Sequence, residues 1–167
     1  MRPTSRIFLL DANVLIAAHR AYYAFDLCPG FWKSILEGCA KGRIFSTHRV
    51  RTEVVKGGDT LADWITATLP DAFFLDDSEA AVAAEYAPVM AWVVGKGFLP
   101  AAQAKFASDA DGWLVAASKQ AGFCLVTHEI RQEAARARVP IPNVCEEFRV
   151  SYCNTFEMLR ELGCTYH

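Results

Sequence analysis

Asp11, Glu53, Asp111 and Glu129 are the residues of this chain best placed to do chemistry. Asp11 ends the apolar run Ile7-Phe8-Leu9-Leu10, and Glu129 closes Phe123-Cys124-Leu125-Val126-Thr127-His128. Open α/β sheets bind ligands at the carboxyl ends of their strands. One acid after a strand is explained equally well as a helix cap, whereas two apolar runs delivering acids to the same edge point to a site. Glu53 lies in the helical pattern Thr47–Lys56, and Asp111 lies at the start of another. Acids in a first helical turn complement the helix dipole, and a lone Glu is most often solvated, so either has an ordinary explanation by itself. Ser108 or Asp109 is the natural N-cap of the later helix, which leaves Asp111 without a capping role; Asp109 is a supporting candidate. Converging carboxylates repel by about 1 kcal/mol per pair in water, and more where water is scarce. A divalent cation offsets that cost. Oxygen donors without His or Cys nearby favour Mg²⁺ or Mn²⁺ over zinc. Such a cation suits phosphodiester hydrolysis, because it acidifies water and stabilises charge on phosphate. Asn13 and Thr127 would orient the carboxylates through neutral hydrogen bonds, or else serve as a helix cap and a strand-end turn.

These positions require alternating strands and helices. Strands are expected at Arg6–Leu10, Arg43–Ser46, Phe73–Leu75 and Phe123–Thr127, from short apolar runs. Helical spacing is expected at Asn13–Ala18, from Pro29 to Cys39, at Thr47–Lys56 and Asp59–Leu69, over Ser78–Val94 with Ser78 as N-cap, and at Asp109–Ala121. Gly95–Pro100 reads as a loop. The remainder reads as a short helix, a Pro140-Ile141-Pro142 turn, a short strand near Asn143–Cys145, and a helix over Asn154–Leu162. The pattern implies parallel crossovers in an α/β layered fold, with residues 1–167 as one domain.

Composition excludes several classes. The chain has 167 residues, 53% hydrophobic and 22% charged, which excludes disorder. A net charge of −2 excludes a general basic coat, though not a local patch. No apolar run approaches the roughly 18 residues of a membrane span. Arg2 and Arg6 precede the first apolar run, but Asp11 and Asn13 interrupt it, so it reads as a buried strand and helix of a cytoplasmic protein rather than a signal peptide. The six cysteines, 28, 39, 124, 145, 153 and 164, lack any C-x-x-C pair and read as buried free thiols.

The segments around the acids resemble PIN-domain nucleases. Leu9-Leu10-Asp11-Ala12-Asn13-Val14 is similar to their strand-ending Asp-x-Asn, Val50-Arg51-Thr52-Glu53-Val54 to the second acid's helix, Asp111-Gly112-Trp113-Leu114-Val115-Ala116 to the third, and Val126-Thr127-His128-Glu129 to the Thr/Ser-x-Asp segment after strand four. The order agrees from about Ile7 to Glu129. Tyr22, Tyr23, Cys28-Pro29-Gly30-Phe31-Trp32 and Ile141-Pro142-Asn143-Val144-Cys145-Glu146 resemble an uncharacterised PIN-like subfamily of bacteria and archaea. The resemblance implies a three-layer α/β fold with a central, mostly parallel sheet of about four to five strands flanked by helices. It implies a Mg²⁺- or Mn²⁺-dependent ribonuclease with Asp11, Glu53, Asp111 and Glu129 as catalytic and metal-binding acids. RNA would be the substrate, an antitoxin protein the partner, and a homodimer the assembly. Glu129 departs from the family, which more often has Asp there.

Other polar groups have ordinary readings beside functional ones. His48, Arg49 and Arg51, and separately Arg131, Arg136 and Arg138, would either track an RNA backbone or form solvated faces; interspersed acids favour the second. Tyr22, Tyr23 and Phe25 would stack on bases or join the core beside Phe31 and Trp32, and core is the commoner role. His128 would bind phosphate when protonated, or be plain surface. Two other functions compete with a nuclease. A haloacid-dehalogenase-like phosphatase needs a second Asp two residues after the first, where this chain has Asn13. A PIN-like scaffold that binds a partner without catalysis has no need to keep four acids.

Overall fold

Fully buried strands build the centre of the molecule. The computed structural model describes residues 5–166, so Arg2 lies outside it. Strand β1 (Phe8–Leu10) and strand β4 (Cys124–Val126) are buried at every position, as strands covered on both faces must be. With β2 (Ile44–Thr47), β3 (Phe74–Leu75) and β5 (Tyr152–Cys153) they form a five-stranded sheet in the order β3-β2-β1-β4-β5. Every pairing is parallel. The chain steps outward from β1 to β2 and β3, then returns on the other side of β1 as β4. The strand order therefore reverses between β1 and β4, and Leu10 pairs with Val126 at the carboxyl ends of both.

Helices α1 (Ala12–Ala17), α2 (Pro29–Ala40), α3 (His48–Val55) and α4 (Thr60–Thr68) follow the expected apolar spacing, and a π-helical turn at Ala18–Tyr22 extends α1. Pro29 opens α2, where its missing N–H costs nothing. Helix α5 (Ala80–Gly95) starts later than expected: Glu79 takes the N-cap, and Ser78 bonds instead to Asp76 Oδ1 at 2.6 Å. Helix α6 (Pro100–Ser108) fills a stretch that sequence patterning leaves unassigned. Helix α7 (Asp111–Ala121) ends at Gly122, whose φ of 71° is a left-handed conformation favouring glycine. Ser108 and Asp109 do not cap α7: Ser108 bonds back to the Lys105 carbonyl, and Asp109 ends α6.

The carboxyl-terminal part differs most from expectation. The expected turn and strand over Pro140–Cys145 are the start and body of helix α8 (Ile141–Glu147). Its short apolar run fits either period, and Pro142 suits a first helical turn but not a central strand. The outer strand is instead β5, held by Leu125 N–H donating to Ser151 O at 2.8 Å and Thr127 N–H to Cys153 O at 3.0 Å. No helix forms between Glu129 and Val139. Helix α9 (Thr155–Glu161) begins with a reciprocal capping box between Asn154 and Glu157. All six cysteines are free, and Cys124, Cys145 and Cys153 are buried. Among the described residues no helix is long and apolar enough to cross a membrane.

Candidate active site

The reversal point of the sheet holds the candidate acids. Asp11 follows β1 and opens α1 as its N-cap residue; its side chain makes no full capping hydrogen bond, though the nearby Asn13 N–H lowers its proton affinity. Its strongest side-chain partner lies across the sheet instead. Its backbone N–H donates to Val126 O at 3.0 Å, which ties it to the end of β4. Its Oδ2 accepts the Thr127 hydroxyl at 3.0 Å, and Thr127 Oγ1 in turn accepts the Glu129 N–H at 3.1 Å. Both Asp11 and Thr127 are only 2% exposed.

Asp111 enters from the other side, on the first turn of α7. Gly112 lets that turn approach closely: a Cβ there would meet Phe106 Cε1 and Tyr86 Cε2 at 2.9 Å. A cleft of about 580 Å³ is lined by Asn13, Glu53, Lys105, Asp109, Asp111, Glu129 and Arg138. Asp11 is buried beside it. Glu53 and Asn13 are exposed, Glu53 on α3 and Asn13 on α1. Asn13, Glu53, Asp109, Asp111 and Glu129 thus share one cleft, and Thr127 binds the Asp11 carboxyl next to it.

Their electrostatics reflect crowding. Burial raises the Asp11 carboxyl to about 7; the Thr127 hydrogen bond opposes this, and the charges of Glu129 and Glu53 add to it. Asp111 is raised to about 8, first by burial and then by the charges of Asp11, Glu129, Asp109 and Glu53. Glu53 is raised as well, by partial burial and by Asp109, while Lys105 lowers it. These carboxylates are short of compensating cationic charge. An all-oxygen donor set in that condition fits a hard divalent cation. No enclosing shell is preformed, however: among the described residues no three Asp, Glu, His or Cys side chains stand close enough together to hold a metal ion.

Glu129 explains part of that gap, because its two oxygens are engaged elsewhere. Oε1 accepts from Arg138 Nη2, and Oε2 accepts the Ile141 N–H at the start of α8 at 2.7 Å. Asp109 is likewise paired, accepting from Lys105 Nζ at 2.6 Å. Lys105 is the cleft residue that sequence reasoning missed. Its signal, a basic residue four positions before Asp109, has meaning only once α6 is assigned as a helix.

The remaining polar candidates divide in the same way. Arg49 lies 4.2 Å over the Trp113 ring, and Arg51 bonds Asp71 at 2.8 Å. Arg131 pairs with Glu133 and Glu146. Tyr23 stacks on Phe31 at 4.3 Å and Phe25 packs on Trp32, as core aromatics do. Tyr22 is 60% exposed, with its ring 6.1 Å from that of His128.

Known proteins share this architecture. The crystal structure of FitAcB from Neisseria gonorrhoeae superposes with a TM-score of 0.56 and 18% identity, covering 90% of this chain and 99% of that one. VapBC2 from Rickettsia felis, bound to a DNA fragment from their promoter, superposes with a TM-score of 0.53 and 16% identity, covering 89% and 98%. At such identities the likeness is one of fold, and the PIN-like architecture that the sequence resembles is the one observed. No curated protein matches the chain. The family model described as "Domain of unknown function (DUF4411)" matches residues 8–166, and the chain belongs to that family.

Proposed function

We propose that this protein is a Mg²⁺- or Mn²⁺-dependent ribonuclease, acting in the cytoplasm as the toxin of a toxin–antitoxin pair. The observation that carries the reading is the buried Asp11 carboxylate set against Asp111 where the strand order reverses, with the proton affinity of both raised. The fold likeness to FitAcB and VapBC2 supports the toxin assignment and an antitoxin protein as partner. Asp11 and Asp111 would hold the cation, with Glu53 drawn in as it binds, since no three acids among the described residues stand within reach of one ion beforehand; the cation would supply the Lewis acidity that phosphodiester hydrolysis needs. Thr127 keeps Asp11 oriented through its hydroxyl. Asn13, exposed at the cleft wall, is placed to orient a water or a phosphate oxygen. Asp11 and Asp111 hold protons near neutrality without metal, so cation binding should release them.

Cleavage of a mixed RNA pool, with Mg²⁺, with Mn²⁺ and with chelator, tests the reading. The wild type should cleave only with metal, and Asp111→Asn should not cleave. The separation of the acids favours a second reading, a PIN-like scaffold that binds a partner without cleaving RNA. Metal-independent silence of the wild type on every RNA would select it.

A further inference from the structure

Glu129 and Arg138 form a unit that the four-acid reading does not use. Both Glu129 oxygens are committed, one to Arg138 Nη2 and one to the Ile141 N–H at 2.7 Å. Each oxygen keeps a second lone pair, but Arg138 already compensates the Glu129 charge and the two bonds fix its orientation, which sets it apart from the uncompensated Asp11 and Asp111. Arg138 is the reverse case. Its side chain is 53% exposed against 13% for Glu129. Among the described residues Glu129 is its one hydrogen-bond partner, so most of its five N–H donors face away from that bond. It lines the acid cleft together with Asp111 and Asn13. It also lines the adjoining groove formed with Ala17, His128, Ile130 and Gln132. A guanidinium that is fixed at one end, open at the other and lining two neighbouring depressions is suited to holding a phosphate between them.

Resting on the nuclease reading, we propose that Arg138 binds a backbone phosphate of the RNA strand at the mouth of the acid cleft. Glu129 is the residue that positions it rather than a cation ligand. The cation then depends on Asp11, Asp111 and Glu53. The Glu129 side chain reaches both Arg138 and the start of α8.

Two measurements on the full chain test this separately from cleavage. The first is fluorescence anisotropy of a labelled single-stranded oligoribonucleotide in chelator, across a salt series. Arg138→Ala should weaken binding, and the slope of log affinity against log salt should fall by about 0.7, the single-strand value for one phosphate contact. Arg138→Lys should keep most of the slope, as a point charge does. Glu129→Gln should weaken binding less than Arg138→Ala. The second is thermal melting with Mg²⁺ alone. Glu129→Gln should keep the wild-type Mg²⁺ shift, whereas Asp111→Asn should lose it. An unchanged salt slope in Arg138→Ala overturns the proposal, as does loss of the Mg²⁺ shift in Glu129→Gln. Should Glu129→Gln fail to fold, the Arg138 variants still decide. RNA binding with the expected Arg138 dependence but no wild-type Mg²⁺ shift supports the phosphate contact and removes the metal-nuclease reading. Absence of RNA binding by the wild type overturns the phosphate contact.

Discussion

Thr127 donates its hydroxyl to the buried Asp11 carboxylate over 3.0 Å, bridging the ends of the two strands between which the sheet reverses. The bond holds down the proton affinity of a carboxyl that burial drives up. Thr127→Val keeps the volume and removes the donor. It also removes the acceptor used by the Glu129 N–H. A buried hydrogen bond to a charged group is worth about 1.5–3 kcal/mol, so the variant should be destabilised by about that amount near pH 8. The loss should shrink toward pH 5, where Asp11 is protonated in the folded protein. Denaturant melts at the two pH values measure the difference; equal losses would mean that the hydroxyl does not act on the ionised form.

Stability of the metal-free protein should fall as pH rises from about 4 to about 8. Asp11 and Asp111 are raised from an ordinary 3.8 to about 7 and about 8, chiefly by burial. Between the unfolded and folded values the folded state binds more protons than the unfolded chain. The stabilisation is therefore complete below about pH 4 and is lost as pH passes through the folded values. The two groups together make this a loss of several kcal/mol, at about 1.4 kcal/mol for each tenfold gain in proton affinity on folding. Asp111→Asn should flatten the upper part of the curve. Chemical denaturation from pH 4 to 9 in chelator measures it, and a curve that rises over this window would contradict the crowded-acid account.

The placement of Asp11 and Thr127 is legible before folding because β1 and β4 are wholly apolar and each is followed at once by polar residues. Period and burial both mark them, and an acid just past such a strand falls at the ligand-binding edge. The outer strand is not legible, since Tyr152 and Cys153 make only a two-residue element whose partner is fixed by β4. Helix α8 is misread as a turn and strand because its apolar run is short and its prolines punctuate equally well either way. The engagement of Glu129 could not be foreseen at all. It depends on Arg138, nine residues on, and on the backbone of Ile141, brought back by an irregular segment. A carboxylate's position can be read from strand order, whereas its partners are set by tertiary contacts.

Gly112 should be intolerant of any side chain. A Cβ there would lie 2.9 Å from both Phe106 and Tyr86, where α7 approaches α6 and α5. Tyr86 is stacked against Trp113 at 3.9 Å and has little room to yield. Gly112→Ala should cost about 1–3 kcal/mol through overpacking, despite alanine's better helix propensity. Because Asp111 is the preceding residue, any metal-dependent cleavage should fall by more than the loss of folded protein explains. Urea melts alongside cleavage rates normalised to folded protein separate the two. A stabilised Gly112→Ala would show that the aromatic pair gives way.

Asp11→Asn separates a site residue from a structural one. Asparagine caps helices as well as aspartate does, so a capping Asp11 would tolerate the change with no effect on stability or metal response. The side chain has only a weak interaction with the Asn13 N–H of the first turn and lies buried among like charges. Removing its charge should therefore leave the metal-free protein folded, and above about pH 7 somewhat more stable. Mg²⁺, which would bind only the folded arrangement, should stabilise the wild type by about 2.7 kcal/mol at 100 times its dissociation constant. Most of that response should vanish in Asp11→Asn, because one oxygen donor loses its charge in a site that binds hard cations through carboxylates. Melts of both proteins with and without Mg²⁺ read the four states. A wild-type-sized Mg²⁺ shift in Asp11→Asn would remove Asp11 from the cation site and leave Asp111 and Glu53 to account for it without a buried partner.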